Sequence, residues 1–264
     1  MLQIDLSNQV SIVTGACGDI GRMIVECLAK CGSNVAVVDL NFERAEMVAE
    51  DIAGRYHVQT KPYLLDISDE QQVKQVFAQI NEDFSTIDIL INGAAFANEG
   101  KNYYSTPTEI AVKTVDVNIH GTGMCIKAAL DYMLPKKSGK IINIASIAGR
   151  IGTAGTANYS ITKAAIIAMT QSIARAHAKE GIRVNSVAPG YLLTDMWKRG
   201  VQKYSKILNK TEEETWQMLA LNNIATGVAQ EPEDIGQAIC FLVSDLAKSI
   251  TGQCLNVCGG SRFN

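Results

Sequence analysis

The sequence predicts an α/β fold in which helices cover both faces of a seven-stranded parallel sheet, the doubly wound arrangement. Short apolar runs alternate with longer amphipathic stretches along the 264 residues, and no linker or repeat interrupts them. Most of the runs are continuous and rich in β-branched residues, which is typical of strands buried on both faces. Regular strand–helix alternation favours right-handed crossovers in a parallel sheet. We therefore expect one domain over residues 1–264.

The elements follow from these patterns in chain order. Most predicted strands are short runs dominated by Val, Ile, Leu or Ala, such as VSIVT at 10–14 and IDILIN at 87–92. Each predicted helix has apolar residues that recur every three or four positions. The strands are expected at 10–14, 34–40, 60–66, 87–92, 140–145, 183–188 and 254–257. The helices are expected at 21–31, 43–54, 70–84, 109–134, 158–178 and 234–244.

Composition narrows the class of protein. The chain is 47% hydrophobic and 19% charged, with 24 Lys and Arg against 27 Asp and Glu, a net charge of −3. No run approaches the roughly 18 apolar residues of a membrane-spanning helix. A near-neutral balance gives no electrostatic reason to expect nucleic acid or anionic lipid as a partner.

Seven cysteines, an odd number without a C-x-x-C motif, are expected to be reduced thiols in a cytoplasmic protein. Cys27 and Cys31, four apart on a predicted helix, could suit a metal or redox pair, but the three histidines show no ligand spacing, and we expect no metal. The N-terminus has neither the basic nor the apolar region of a signal peptide.

A glycine turn follows the first predicted strand. It begins at Gly15 and ends at Gly21, where a helix begins, so backbone N–H groups and the helix N-terminus could face a pyrophosphate. About eighteen residues after Gly21, Asp39 ends the second strand and could accept hydrogen bonds from ribose hydroxyls, while it would repel a 2′-phosphate. A lone Asp here could equally end a strand or cap a helix. Together with the glycine turn it favours NAD over NADP.

Three residues around the fifth strand suggest acid–base chemistry. Ser146 follows that strand, Tyr159 comes thirteen residues later, and Lys163 lies four further on. Spacing of four places Tyr159 and Lys163 on one face of a helix. A phenol has an ordinary pKa of about 10, which a neighbouring ammonium lowers. Ser146 could hold the substrate oxygen.

The segment 194–230 interrupts the alternation after the sixth strand. It is amphipathic and rich in charge, and it lies where ligands bind in open α/β sheets, beyond the carboxyl end of a strand. We interpret it as a substrate lid. A surface pair of helices with a solvated charged face is the alternative.

Taken together, these motifs resemble the short-chain dehydrogenase/reductase family in its compact form, over essentially the whole chain. Further matches are Asp66-Ile67, the run 92–95, Asn118 and the run 189–194. The resemblance implies a Rossmann-type fold, Tyr159 as general acid/base, Lys163 as the group that lowers its pKa, Ser146 as the polarising hydroxyl, and Asn118 as holder of a water that relays protons.

The resemblance also implies binding residues. At the cofactor it implies Gly15, Cys17, Asp19, Ile20, Gly21, Asp39, Leu40, Asp66, Ile67, Asn92, Gly93, Ala94, Tyr159, Lys163, Pro189, Gly190, Leu192 and Thr194. The substrate pocket is expected from residues that follow the fourth, fifth and sixth strands, with Ser146, Tyr159, Phe96, Arg150, Tyr191 and Trp197 as the candidate contacts. The resemblance further implies a homotetramer or homodimer assembled through the helices 109–134 and 158–178 and the last strand.

Two positions depart from the family pattern. Asp19 stands where the family usually has the middle glycine of its turn, and a carboxylate there suits a pyrophosphate only if it points away or caps the following helix. Ala95 adds a methyl group where the family usually has glycine. Asp19 and Ala95 are therefore expected to affect the affinity for the cofactor, and neither is expected to affect the catalytic residues.

The substrate is the least determined feature. Polar candidates Asn98, Asn102, Arg150, Thr153 and Thr156 accompany aromatic ones, and the family resemblance favours a polyol, sugar alcohol or small diol. Arg150, Lys198 and Arg199 could meet a phosphate or sulfonate, although surface solubility also explains such cations. Alternatives are a hydroxysteroid dehydrogenase, which would want a more apolar pocket, and a 3-oxoacyl-thioester reductase, which generally goes with NADPH. A non-catalytic NAD-sensing protein would have no use for the full set of Asn118, Ser146, Tyr159 and Lys163.

Overall fold

The computed structural model describes residues 4–97 and 102–263. Within them, seven strands form one parallel sheet in the order β3-β2-β1-β4-β5-β6-β7. The strands are β1 (Val10–Thr14), β2 (Asn34–Asp39), β3 (Thr60–Leu64), β4 (Ile89–Asn92), β5 (Gly139–Ile144), β6 (Ile182–Pro189) and β7 (Cys254–Val257). The α/β doubly wound prediction is confirmed.

The helices are α1 (Asp19–Lys30), α2 (Phe42–Arg55), α3 (Glu70–Phe84), α4 (Thr108–Val115), α5 (Thr122–Met133), α6 (Ala157–His177), α7 (Asp195–Leu208), α8 (Glu212–Leu219) and α9 (Pro232–Val243). Among the described residues, no helix combines the length and the apolar character that crossing a membrane requires. The seven cysteines are free thiols.

Both faces of the sheet are buried, which explains the continuous apolar runs. Side chains alternate along each strand, so the neighbours Ile12 and Val13 of β1 belong to different core clusters. Val13 packs in the cluster of α1 and α9, with Ile24 and Ile239. Ile12 packs in the cluster of α3 and α5, with Phe77. Each face is therefore closed by its own helical layer.

The long helix expected at 109–134 is divided by one π-helical turn, Asp116–Gly121, between α4 and α5. A π-turn inserts an extra residue without breaking the apolar spacing on either side, so the amphipathic pattern did not indicate it. The strand order reverses between β1 and β4, and a crevice opens beyond the ends of these strands.

Candidate active site

The turn after β1 requires glycine at two positions. Gly15 has φ +68°, and a Cβ placed there would lie 2.7 Å from both N and Cα of Ala94. A Cβ on Gly21 would lie 2.1 Å from the Gly15 carbonyl oxygen. The absence of these side chains lets the turn approach the segment that follows β4 and lets α1 pack against the turn.

A cleft of about 1110 Å³ opens at this crossing of β1 and β4. Seven of the predicted cofactor residues line it: Gly15, Asp39, Leu40, Asp66, Ile67, Gly93 and Ala94. Further lining residues, which were not predicted, come from α4, the π-turn and α5 and include Val112, Lys113, Asp116, His120 and Met124. These residues carry no motif, and only the fold places them at the cleft.

Asp39 is held at the rim of this cleft by backbone donors. Its Oδ2 accepts from the Cys17 N–H over 2.9 Å and its Oδ1 from the Asn41 N–H over 3.1 Å. Arg44, which the sequence analysis did not single out, donates to the Cys17 carbonyl over 2.9 Å. Burial, followed by the charge of Asp39, raises the pKa of the Cys17 thiol to about 12, so this thiol stays protonated.

Asp19 caps a helix, but a different one from the helix that follows it. It is the first residue of α1, and its Oδ2 accepts from the backbone N–H of Asp195, at the start of α7, over 2.7 Å. Nearby, the buried hydroxyl oxygen of Thr194 has no hydrogen-bond partner among the described residues. The glycine cradle and this unpaired hydroxyl both fit the phosphate groups of a dinucleotide.

Ser146, Tyr159 and Lys163 come together as predicted. Ser146 follows β5 and caps a one-turn 3₁₀ helix, Ile147–Gly149. Its hydroxyl is hydrogen-bonded to that of Tyr159. The Lys163 Nζ lies 5.5 Å from the centre of the Tyr159 ring and donates to the Ile144 carbonyl over 2.6 Å. This cluster can exchange a proton with an oxygen held beside Ser146.

Burial sets the protonation of this cluster. Loss of solvent raises the pKa of the Tyr159 hydroxyl above its ordinary value, and the hydrogen bond with Ser146 opposes that rise. The same burial lowers the pKa of Lys163 to about 8. The tyrosine therefore keeps its proton at neutral pH. Its pKa was predicted to be lowered by Lys163, but in this structure burial outweighs the other influences.

A close contact fixes the Ser146 turn against α6. A Cβ on Gly149 would lie 2.6 Å from the carbonyl carbon of Lys163 and 2.7 Å from its oxygen. Only glycine fits this position without displacement. The turn that carries Ser146 is therefore held directly against the helix that carries Tyr159 and Lys163.

Asn118 lies in the π-turn and binds the segment that follows β4. Its Oδ1 accepts from the Phe96 N–H over 2.7 Å, and its Nδ2 donates to the Phe96 carbonyl over 2.9 Å and to Thr162 over 3.0 Å. Asn118 thus connects the cleft wall to α6. Its role in a proton relay stays a prediction.

Asn92, one of the predicted cofactor residues, has its side chain in the sheet interior. Its Nδ2 donates to the Asn143 side chain over 2.8 Å, and Asn143 donates to Thr170 over 2.9 Å. This chain of bonds joins β4, β5 and α6. The side chain of Asn92 thus stabilises the strands that end at the cleft.

Aromatic side chains cluster in the segment 194–230, which was interpreted above as a lid, and just before it. Tyr191 and Trp197 pack edge-to-face with ring centres 5.3 Å apart, and Trp197 packs in the same way on Trp216 of α8 at 5.6 Å. Trp216 was not predicted, because nothing in its local sequence connects it to the site.

The polar candidates for the substrate are largely engaged elsewhere. The Arg150 guanidinium donates to the Cys254 carbonyl over 2.6 Å and to Asn256 over 3.1 Å. The Thr153 hydroxyl is bonded to those of Thr156 and Ser160. Asn102 accepts from the Ser105 N–H, and Asn98 lies outside the described residues.

Comparisons with known proteins agree with this geometry. A family model described as enoyl-(acyl carrier protein) reductase matches residues 15–262. The 3-oxoacyl-[acyl-carrier-protein] reductase of Aquifex aeolicus is 34% identical over 98% of this chain and 99% of its own length. The enzyme of the same name from Staphylococcus aureus is 35% identical over 95% of this chain and 96% of its own length. The crystal structure of an NAD⁺-bound xylitol dehydrogenase is similar with a TM-score of 0.91 and 28% identity, over 96% of this chain and 99% of that one.

Proposed function

Because the chain belongs to the short-chain dehydrogenase/reductase family, we propose that it uses NAD(H) to interconvert a 3-oxoacyl thioester and its 3-hydroxyacyl counterpart. The observation that carries the proposal is the convergence of Ser146, Tyr159 and Lys163 at the end of β5, the strand next to β4, whose following residues line the cleft. Such a cluster suits proton exchange at a ketone or secondary alcohol.

The chain's own groups divide the chemistry of ketone reduction. Tyr159, protonated at neutral pH, gives its proton to the carbonyl oxygen, and Ser146 donates a hydrogen bond to the same oxygen. The ammonium of Lys163 stabilises the phenolate that remains. When bound, a reduced nicotinamide supplies the hydride that reaches the carbonyl carbon.

Two observations support an acyl substrate over the polyol that the sequence analysis favoured. The relatives cited above are named as 3-oxoacyl reductases. In addition, a polyol needs hydrogen-bond partners, and the hydroxyl of Thr153 and the guanidinium of Arg150 are already bonded within the protein. The rings of Tyr191 and Trp197 offer apolar surface instead.

Asp39 supports NAD(H) as the cofactor. Its carboxylate is fixed at the cleft by two backbone N–H groups, so it cannot turn away at low cost. A ribose hydroxyl could donate to it, whereas a 2′-phosphate would be repelled.

A polyol dehydrogenase is the second candidate. The similarity to the NAD⁺-bound xylitol dehydrogenase favours it, because the structural match covers nearly the whole of both chains. The same catalytic cluster would serve in the oxidising direction, in which Tyr159 must first lose its own proton before it accepts the proton of the alcohol.

A substrate panel followed at 340 nm separates these candidates. We expect turnover of a 3-oxobutanoyl thioester with NADH and little with NADPH. A 2-enoyl thioester tests for double-bond reduction, and xylitol with NAD⁺ tests the second candidate. Turnover of xylitol alone would replace the main proposal by the second. Binding of NADH without turnover of any compound would contradict both and favour the sensing alternative.

A further inference from the structure

Asp19 joins two elements that are far apart in the sequence. Its carboxylate, in the first turn of α1, accepts the backbone N–H of Asp195 in the first turn of α7 over 2.7 Å. The lid (residues 194–230) begins at this contact. The base of the lid is held separately, by a parallel bridge between Leu192 and Gln230.

The first turn of α7 lacks a side-chain cap from its own N-cap residue. Thr194 has the extended backbone of an N-cap residue, with φ −77° and ψ 167°, but its side chain makes no capping bond. Its buried hydroxyl oxygen has no partner among the described residues. Exposed N–H groups at a helix start need acceptors, and carboxylates are among the best. Asp19 supplies one from another helix.

We propose that Asp19 is a positioning residue that fixes the start of the lid beside the glycine turn and the first turn of α1, and that leaves the Thr194 hydroxyl available to the cofactor. A glycine, which the family usually has here, has no side chain for this bond. The part that concerns Thr194 rests on the proposed nicotinamide site, whereas the anchoring of the lid does not.

The same carboxylate acts on the cofactor by its charge. It lies at the start of α1, where the glycine turn would hold a pyrophosphate, and two negative groups repel each other. Asp19→Asn keeps an acceptor oxygen and removes the charge, whereas Asp19→Ala removes both. The pair of variants therefore separates positioning from electrostatics.

Tryptophan fluorescence tests the anchoring without any ligand. Both tryptophans of the chain, Trp197 and Trp216, lie in the lid. Loss of a helix-cap acceptor shifts the equilibrium between the folded and the frayed helix end by about fivefold. We therefore expect acrylamide to quench Asp19→Ala more strongly than the wild type, and Asp19→Asn to resemble the wild type. Equal quenching of the wild type and Asp19→Ala would overturn the proposal.

A control distinguishes anchoring from a general loss of stability. Asp69 caps α3 by accepting the N–H groups of Gln71 and Gln72, far from the lid in sequence. Asp69→Ala should lower the melting temperature and leave the quenching unchanged. If Asp69→Ala increases quenching as much as Asp19→Ala does, the effect is global and the proposal fails.

Cofactor titration supplies the second readout. We expect Asp19→Asn to bind NADH more tightly than the wild type, because repulsion is removed, and Asp19→Ala to bind it less tightly than Asp19→Asn. If the two variants bind NADH with equal affinity and are quenched equally, Asp19 acts on the cofactor only through its charge and the positioning proposal is wrong. Since the quenching experiment needs neither substrate nor cofactor, an error in the proposed function would leave its result intact.

Discussion

Burial shifts Tyr159 and Lys163 in opposite senses. It raises the pKa of the phenol and lowers the pKa of the ammonium to about 8, since both shifts disfavour charge. The two groups are consequently further apart in acidity than free tyrosine and lysine, which have ordinary pKa values near 10 and 10.4. Lys163 therefore loses its proton more readily than Tyr159 does, while the tyrosine remains a proton donor at neutral pH.

Tyr159→Phe tests the proton donor. Removal of the hydroxyl should lower kcat for ketone reduction by about 10²- to 10⁴-fold, the usual contribution of a general acid. NADH affinity, measured by fluorescence titration, should stay close to that of the wild type because the ring remains in place. Near-normal kcat would refute the assignment of Tyr159 as general acid.

Asp39→Ala tests the choice of cofactor. Hydrogen bonds to a charged acceptor contribute about 1.5–3 kcal/mol, so the preference for NADH over NADPH should fall by about tenfold or more. The measurement is the ratio of kcat/KM for the two cofactors. Asp66→Asn, at another point of the cleft lining, is the control and should change this ratio little. An unchanged ratio in Asp39→Ala would mean that another residue determines the cofactor preference. Arg44, which donates to the Cys17 carbonyl beside Asp39, is then the first candidate.

At the scale of elements, local patterns predicted strands better than connections. Continuous β-branched runs identified most strands of the sheet, because a strand buried on both faces favours such residues, whereas the edge strands β3 and β7 have a mixed composition. The π-turn that carries Asn118 escaped prediction, since an inserted residue leaves apolar spacing intact on both sides. The bond from Asp195 to Asp19 escaped it as well, because it joins residues 176 apart.

Gly149→Ala tests how the 3₁₀ turn is held. The added Cβ would meet the Lys163 backbone at 2.6 Å, so the turn with Ser146 must move away from α6. Overpacking of this kind costs about 1–3 kcal/mol. We expect a lower melting temperature and a kcat reduced about tenfold or more. Gly152→Ala, where a Cβ meets nothing within 4 Å, is the matched control. Equal kinetics of the two variants would contradict the role of this contact.

At the scale of the whole molecule, the order of the strands decides which motifs meet. Residues after β1 and β4 form the cleft, and the bonds from Asn92 through Asn143 to Thr170 connect it to α6. Sequence motifs indicated these regions, and they named the family correctly. They could not indicate the substrate, because that depends on which polar groups are already bonded. Arg150, a candidate anion receptor in the sequence, is bonded to the last strand.

The buried lysine also makes folding stability depend on pH. Lys163 has a folded-state pKa of about 8 against an ordinary value of 10.5. Between these values the unfolded chain binds more protons than the folded one, so this residue makes stability rise with pH. From pH 7 to pH 9 the free energy of unfolding of the wild type should gain about 1 kcal/mol relative to Lys163→Met. Lys163→Met also loses the hydrogen bond to the Ile144 carbonyl. This loss is independent of pH, so it separates the two plots of unfolding free energy against pH without changing their difference in slope. Denaturant unfolding of both proteins at pH 7, 8 and 9 measures the difference, and parallel curves would show that Lys163 does not titrate in this range.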